Sequence, residues 1–202
     1  MSINIFDRLN RNGEALNGQE LRKSTYHGTP LLELVEKLAR NPFWKERLAH
    51  TDVARMEDYE FLSELLFQVI EGKALHANQS ELDQLYKKYT NAALNWKEVE
   101  EKFIEITAFL SSLNLDFDKY RIGGVSHLYG LWCLANLCLA RNVPVERIAD
   151  KVRDFYEKLR TTPDACIELI QYKKSMSART KDRGQREKRL AALADYAKIK
   201  LE

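Results

Sequence analysis

Basic side chains beside a capped helix start are the first chemistry this sequence offers. In Asn17-Gly18-Gln19-Glu20-Leu21-Arg22-Lys23, an Asn cap stands three residues before a Glu, so the spacing predicts a capping box and a helix from residue 18. The free amides and dipole of such a helix start favour an anion, and Arg22 and Lys23 follow one turn later. Helix end, amides and guanidinium together make a phosphate cradle. The same residues also make a well-capped helical hairpin with no ligand at all. Just upstream, Phe6 and Leu9 are expected to pack inward while Arg8 and Arg11 point elsewhere. Asn10 should end that short helix, Asn12-Gly13 allows a sharp turn with Gly13 at positive φ, and Leu16 returns to the core.

A second cluster lies near the other end. Lys173, Lys174, Arg179, Lys181, Arg183, Arg186, Lys188 and Arg189 face only Asp182 and Glu187. Arg183, Arg186 and Arg189 are three residues apart, so on a helix they are expected to share a face. Such a stripe suits successive phosphates of nucleic acid. No aromatic interleaves with the arginines, which argues against stacking on single-stranded bases. The alternative is a solvated terminal helix. Charge is spread to match: residues 1–120 carry 15 basic and 20 acidic side chains, residues 121–202 carry 17 and 10.

Complete enzyme signatures are missing. His27, His50, His76 and His127 are far apart in sequence, with no Cys or carboxylate at metal-ligand spacing. There is no GxSxG, Walker loop or HExxH. His127, in an apolar stretch, reads as a hydrogen-bonded core histidine. Cys133, Cys138 and Cys166 form no CxxC pair and read as reduced, buried thiols. No acid/base or metal constellation can be assembled, so catalysis by this chain alone is not expected.

The elements that must position these residues are helices. Gly and Pro number only 8 and 4, and apolar residues recur at helical spacing almost throughout. Thr29-Pro30 and Asn41-Pro42 place a cap before Pro, predicting helices over 30–40 and 42–49. Met56, Tyr59, Leu62, Leu66, Val69 and Ile70 line one face of a helix ending at Gly72. Further amphipathic helices are expected over 78–90 and 95–114, the latter capped by Asn95 with Glu98 behind it. The stretch 125–141 is apolar on most sides and should be the central buried helix; Leu128 to Ala140 is too short to span a bilayer. Val143-Pro144 and Thr162-Pro163 should each start a helix, and a last one should run over 182–200. The expectation is a single all-α domain over 1–202, a compact array of about ten helices with bundle-like packing. The segment 1–28 forms a helix-turn-helix, and 173–189 is a basic lead into the last helix. With no basic-then-apolar start, the cytoplasm is the expected location.

The opening segment also carries a resemblance. Phe6, Asn10, Gly13, Leu16, Gln19, Glu20, Leu21 and Arg22 follow the F-x-x-x-N pattern, and the Gln-Glu-Leu-Arg helix after it, of the GmrSD restriction endonuclease N-terminal domain family. The match is dense over about 25 residues. It is looser beyond them, where Ser177 to Leu193 resembles the Thr- and Arg-containing end of such domains. The resemblance implies the helical second half of a nucleotide-dependent phage-defence protein. In the family, an upstream ParB/sulfiredoxin-like half carries an Asp-Gly-Gln-Gln-Arg motif for NTP binding and hydrolysis. An HNH-type nuclease domain often follows. Neither has a counterpart here: Gly184-Gln185-Arg186 is a chance echo, and no His-His or His-x-x-Pro pair follows the helices. A truncated, split or excised gene product is therefore the expectation.

What the resemblance implies about sites is specific. Phe6, Arg8, Asn10, Gly13, Gln19 and Arg22 would serve a nucleotide phosphate pocket, with NTP and Mg only when an upstream half is paired. The basic cluster, read from its charge and spacing, adds Lys174, Arg179, Lys181, Arg183, Arg186 and Arg189 as expected DNA contacts. Implied partners are DNA and a complementary NTPase half or nuclease subunit, with no membrane. The other class of reading is a freestanding all-α interaction or regulatory protein with no nucleotide or DNA role.

Overall fold

The structure is a computed structural model that describes residues 15–201. Within them the chain is all-α, with ten helices. These are α1 (Gly18–Thr25), α2 (Pro30–Ala39), α3 (Pro42–Arg47), α4 (Glu57–Glu71), α5 (Gln79–Thr90), α6 (Trp96–Ser112), α7 (Val125–Ala140), α8 (Val145–Thr161), α9 (Ile167–Ser175) and α10 (Arg183–Ala197). The expected helix around Phe6 and Leu9 lies outside the described residues.

Local chemistry sets most of these boundaries. Asn17, Thr29, Asn41, Asn78 and Asn95 each cap a helix by accepting a hydrogen bond from a first-turn amide. Gly72 ends α4 in the left-handed region at φ 69°. Two expected starts shift. Pro144 is the extended residue before α8 rather than its first helical one. Pro163 sits in a turn closed by Ala165 N–H donating to the Thr162 carbonyl at 3.0 Å, so α9 begins four residues later, at Ile167.

α7 is the central buried helix, enclosed from Leu128 through Ala135. α4 is its unexpected equal: every residue from Phe61 to Gln68 is buried, not one face. α6 packs against both, and their aromatic contacts join the halves. The Trp132 ring lies 4.5 Å from Phe103 and 5.7 Å from Trp44. Each indole finds a partner, Trp132 donating to Gln68 at 2.9 Å and Trp44 to Thr107 at 3.1 Å. α1 and α2 pack on both α4 and α5, and α5 reaches α4 through Tyr86 on Phe67 and Ser63; α8, α9 and α10 pack around one another, and α10 also lies on α7. Gly130 faces α10, where a Cβ would make ordinary contacts with Leu193 Cδ1 at 3.5 Å and Arg189 Cβ at 3.8 Å.

Candidate functional site

The capped start of α1 forms as its sequence implies. Glu20 N–H donates to Asn17 Oδ1 at 2.9 Å, and Asn17 N–H to Glu20 Oε2 at 2.6 Å. The Asn17 side-chain amide also donates to the Arg55 carbonyl at 2.7 Å, tying the cap to the turn before α4. The polar side chains of α1 itself depart from a phosphate cradle. Gln19 and Arg22 are 1 % and 2 % exposed. Arg22 Nε donates to Gln19 Oε1 at 2.8 Å and Nη1 to Asp83 at 2.7 Å. Nη2 reaches Gln79 at 2.9 Å and Glu60 at 3.2 Å. Gln19 in turn donates to Tyr86 Oη at 3.2 Å. Four of the five guanidinium N–H groups are thereby engaged, and two carboxylates balance the charge. Neither residue fits a direct phosphate contact. Both lock α1 onto α4 and α5. Gly18 is part of the lock: a Cβ there would sit 2.0 Å from Gln79 Oε1, the atom that accepts from Arg22. Leu21, by contrast, is 47 % exposed. Phe6, Arg8, Asn10 and Gly13 lie outside the described residues.

The basic C-terminal segment also divides. Arg183, Arg186 and Arg189 do not form one solvent-facing stripe, because only Arg183 is exposed. Arg186, 3 % exposed, pairs with Glu64, donates to the Leu75 carbonyl at 3.0 Å, and stacks 3.7 Å over the Tyr129 ring. Arg189, 0 % exposed, donates to the Thr180 carbonyl and to Met176 Sδ at 3.3 Å. The reason is apolar neighbours. α10 lies between α7, α8 and α9, and on a helix so enclosed residues 186 and 189 fall on the inward side with Leu193. Burial weakens the hold of Arg189 on its proton. Lys181 is half-buried, its ammonium 2.9 Å from Glu60 and 3.3 Å from Glu64. Lys174, Arg179 and Arg183 are exposed, and Arg183 pairs with Glu187 at 2.7 Å. Arg179 takes the left-handed conformation at φ 50°.

These regions meet at two residues that no sequence motif marks. Glu60 and Glu64 stand one turn apart on α4 and between them hold Arg22, Lys181 and Arg186. Burial acts to raise the carboxyl pKa of Glu60, but the Gln79 hydrogen bond and the charges of Lys181 and Arg22 leave it lowered. The signal of Glu60 and Glu64 in the sequence is two carboxylates four residues apart, at the edge of and within the mostly apolar run Phe61 to Ile70.

His127 is a hydrogen-bonded, half-buried histidine. Its Nδ1 lies 2.8 Å from Tyr172 Oη, which lies 2.9 Å from Tyr156 Oη, while Arg160 Nη2 approaches Nε2 at 3.3 Å. Burial and the charges of Arg160 and Arg189 bring its pKa down to about 4, so it is neutral at pH 7. Cys133 and Cys138 are buried and their thiols are pushed up to about 12 by burial, whereas Cys166 is only half-buried. Among the described residues no group of three His, Cys, Asp or Glu could hold a metal ion, and no helix is long and apolar enough to cross a membrane.

No family model, curated protein or solved structure matches this chain.

Proposed function

We propose that this chain is the helical part of a nucleotide-dependent DNA restriction protein of the GmrSD N-terminal type. It would form one wall beside the nucleotide pocket and contribute a DNA contact, with NTP hydrolysis belonging to a separate NTPase half. The observation that carries the reading is the dense match of Phe6, Asn10, Gly13, Leu16, Gln19, Glu20, Leu21 and Arg22 to that family's segment. The packing of α1 supports a particular version of it. Gln19 and Arg22 act as positioning residues that fix the capped end of α1, and exposed Leu21 offers an apolar contact to a covering half. DNA contact falls to the exposed cations Lys174, Arg179 and Arg183, with Lys181 partly available. Such contacts reach phosphates, not base edges, so binding should be weak in sequence preference and steep in salt.

The test is a duplex DNA titration at two salt concentrations. Arg179→Glu/Arg183→Glu should abolish binding while the fold persists. Equal binding by both proteins would retire the DNA contact. ATP or GTP turnover by the purified chain alone would overturn the division of labour.

One observation favours a second reading, a freestanding interaction or regulatory module. Ile167 and Ile170, three residues apart on α9, are 59 % and 40 % exposed, a pair that a protein partner could cover. Stable complex formation with a protein, blocked by Ile167→Lys/Ile170→Lys and unaffected by DNA, would favour it.

A further inference from the structure

α9 and α10 run back to back, joined by residues 176–182, and on their outer side leave a groove of about 490 Å³. That volume lies in the range of small-molecule sites. Its lining is Gln171, Lys174 and Ser175 from α9, Ser177 from the joining loop, and Gln185, Lys188 and Ala191 from α10. One lysine and one amide stand on each helix, and no carboxylate is among the lining residues.

Three further features suit an anion. First, neither ammonium is neutralised: Lys174 and Lys188 have no carboxylate partner among the described residues. Of the nearby acids, Glu187 pairs with Arg183 and Asp164 with Lys173, while Glu168 and Asp195 stand outside the lining. Second, the carbonyl end of α9, which would repel an anion, is partly quenched. Ser175 Oγ donates to the Tyr172 carbonyl at 2.6 Å, and Ser177 Oγ to the Lys174 carbonyl at 2.8 Å. Third, the loop end of the groove is fixed before any ligand arrives. The Arg189 guanidinium holds the Thr180 carbonyl, Ala77 N–H donates to the Lys181 carbonyl at 3.2 Å, and Glu60 holds the Lys181 ammonium. A preorganised site loses less on binding.

We infer that the α9–α10 groove is a binding site for a phosphate-bearing ligand, gripped between Lys174 and Lys188, with Gln171 and Gln185 hydrogen-bonding the atoms around the phosphate. Two compact ammonium charges on opposite walls suit a small, densely charged group. The inference shares Lys174 with the DNA contact of the restriction reading but not Arg179 or Arg183, so loss of binding in the Lys174/Lys188 variant and loss in the Arg179/Arg183 variant tell the two apart.

The experiment is a titration of the full chain with inorganic pyrophosphate at low salt, by calorimetry and by amide NMR. Saturable binding is expected, with shifts gathered at Gln171, Ser177 and Gln185. Lys174→Gln/Lys188→Gln should raise Kd at least about tenfold. Lys174→Arg/Lys188→Arg, which keeps both charges, should retain binding, and so should Arg179→Gln, whose side chain is not part of the lining. Competition by a nucleoside diphosphate would identify a soluble phosphate ester as the source, and competition by a short duplex would identify backbone phosphates. No saturable binding, equal binding by the double Gln chain, or shifts gathered elsewhere would each overturn the proposal.

Discussion

Two buried polar seams cross this fold, and they meet the same constraint in opposite ways. The first gathers Arg22, Lys181 and Arg186 around Glu60 and Glu64 on α4. The second strings His127, Tyr172 and Tyr156 together beside Arg160 and Arg189, with no carboxylate. A buried charge is costly unless it is paired, neutralised or well hydrogen-bonded, as buried Arg189 is by the Thr180 carbonyl. The first seam pairs its charges. The second keeps its imidazole neutral because burial and nearby cations disfavour a further charge. The first therefore depends on ionised carboxylates and the second on an unprotonated imidazole.

The largest break in this comparison is Glu64→Gln. It leaves Arg186, already short of a partner at Nε, as an uncompensated buried cation. Removing one member of a buried pair costs about 3–5 kcal/mol. Urea unfolding should show that loss, and Glu64→Gln/Arg186→Met should recover part of it, because the second change removes the stranded charge. A single variant as stable as the parent would mean that the pair is not buried as described.

The second prediction uses acid to separate the seams. His127 has its pKa lowered from 6.5 to about 4 in the fold. The unfolded chain therefore binds a proton first as pH falls, and stability is lost between pH 6.5 and 4. The full shift corresponds to about 3 kcal/mol. Glu60, also lowered, contributes stability that is present above the ordinary carboxylate range and is lost only as pH falls through its folded value. Loss above pH 5 should thus belong to His127 and loss below it increasingly to the carboxylates. His127→Gln should flatten the first limb and leave the second. An unchanged slope between pH 6.5 and 5 in that variant would remove His127 as the cause.

These seams also mark how far the sequence could be read. The helices were legible because their signals are local: an Asn or Thr cap, a Pro just inside the start, a Gly at the end of α4. Thr162-Pro163 misled because the same Pro serves a turn as readily as a helix start, and the Thr162–Ala165 bond decides between them. The candidate sites were less legible. Three arginines at helical spacing do share a side of α10 in part, but which side meets solvent depends on α7, α8 and α9 lying against it, and nothing local to residues 183–189 states that. Arg22 was read as available for the same reason. Its partners Glu60, Gln79 and Asp83 are 38 to 61 residues away.

The smallest expected effect sharpens the same contrast within one helix. Arg183 and Arg186 are three residues apart on α10, yet one is exposed and the other buried. Arg183 makes a single i,i+4 pair with Glu187, both members about half exposed. Such a pair contributes about 0.3–0.5 kcal/mol, and salt screens it. Arg183→Gln should therefore change unfolding free energy by no more than about 0.5 kcal/mol, with the difference vanishing at high salt. Arg186→Gln leaves Glu64 with only the Lys181 ammonium and strands the Leu75 carbonyl, so it should cost less than Glu64→Gln but well over about 0.5 kcal/mol, and be indifferent to salt. The pair of measurements separates what spacing alone cannot. If both variants lost similar stability, or if salt erased both losses, the inward and outward assignment of the two arginines would be wrong, and the solvent-facing stripe that their spacing suggests would return.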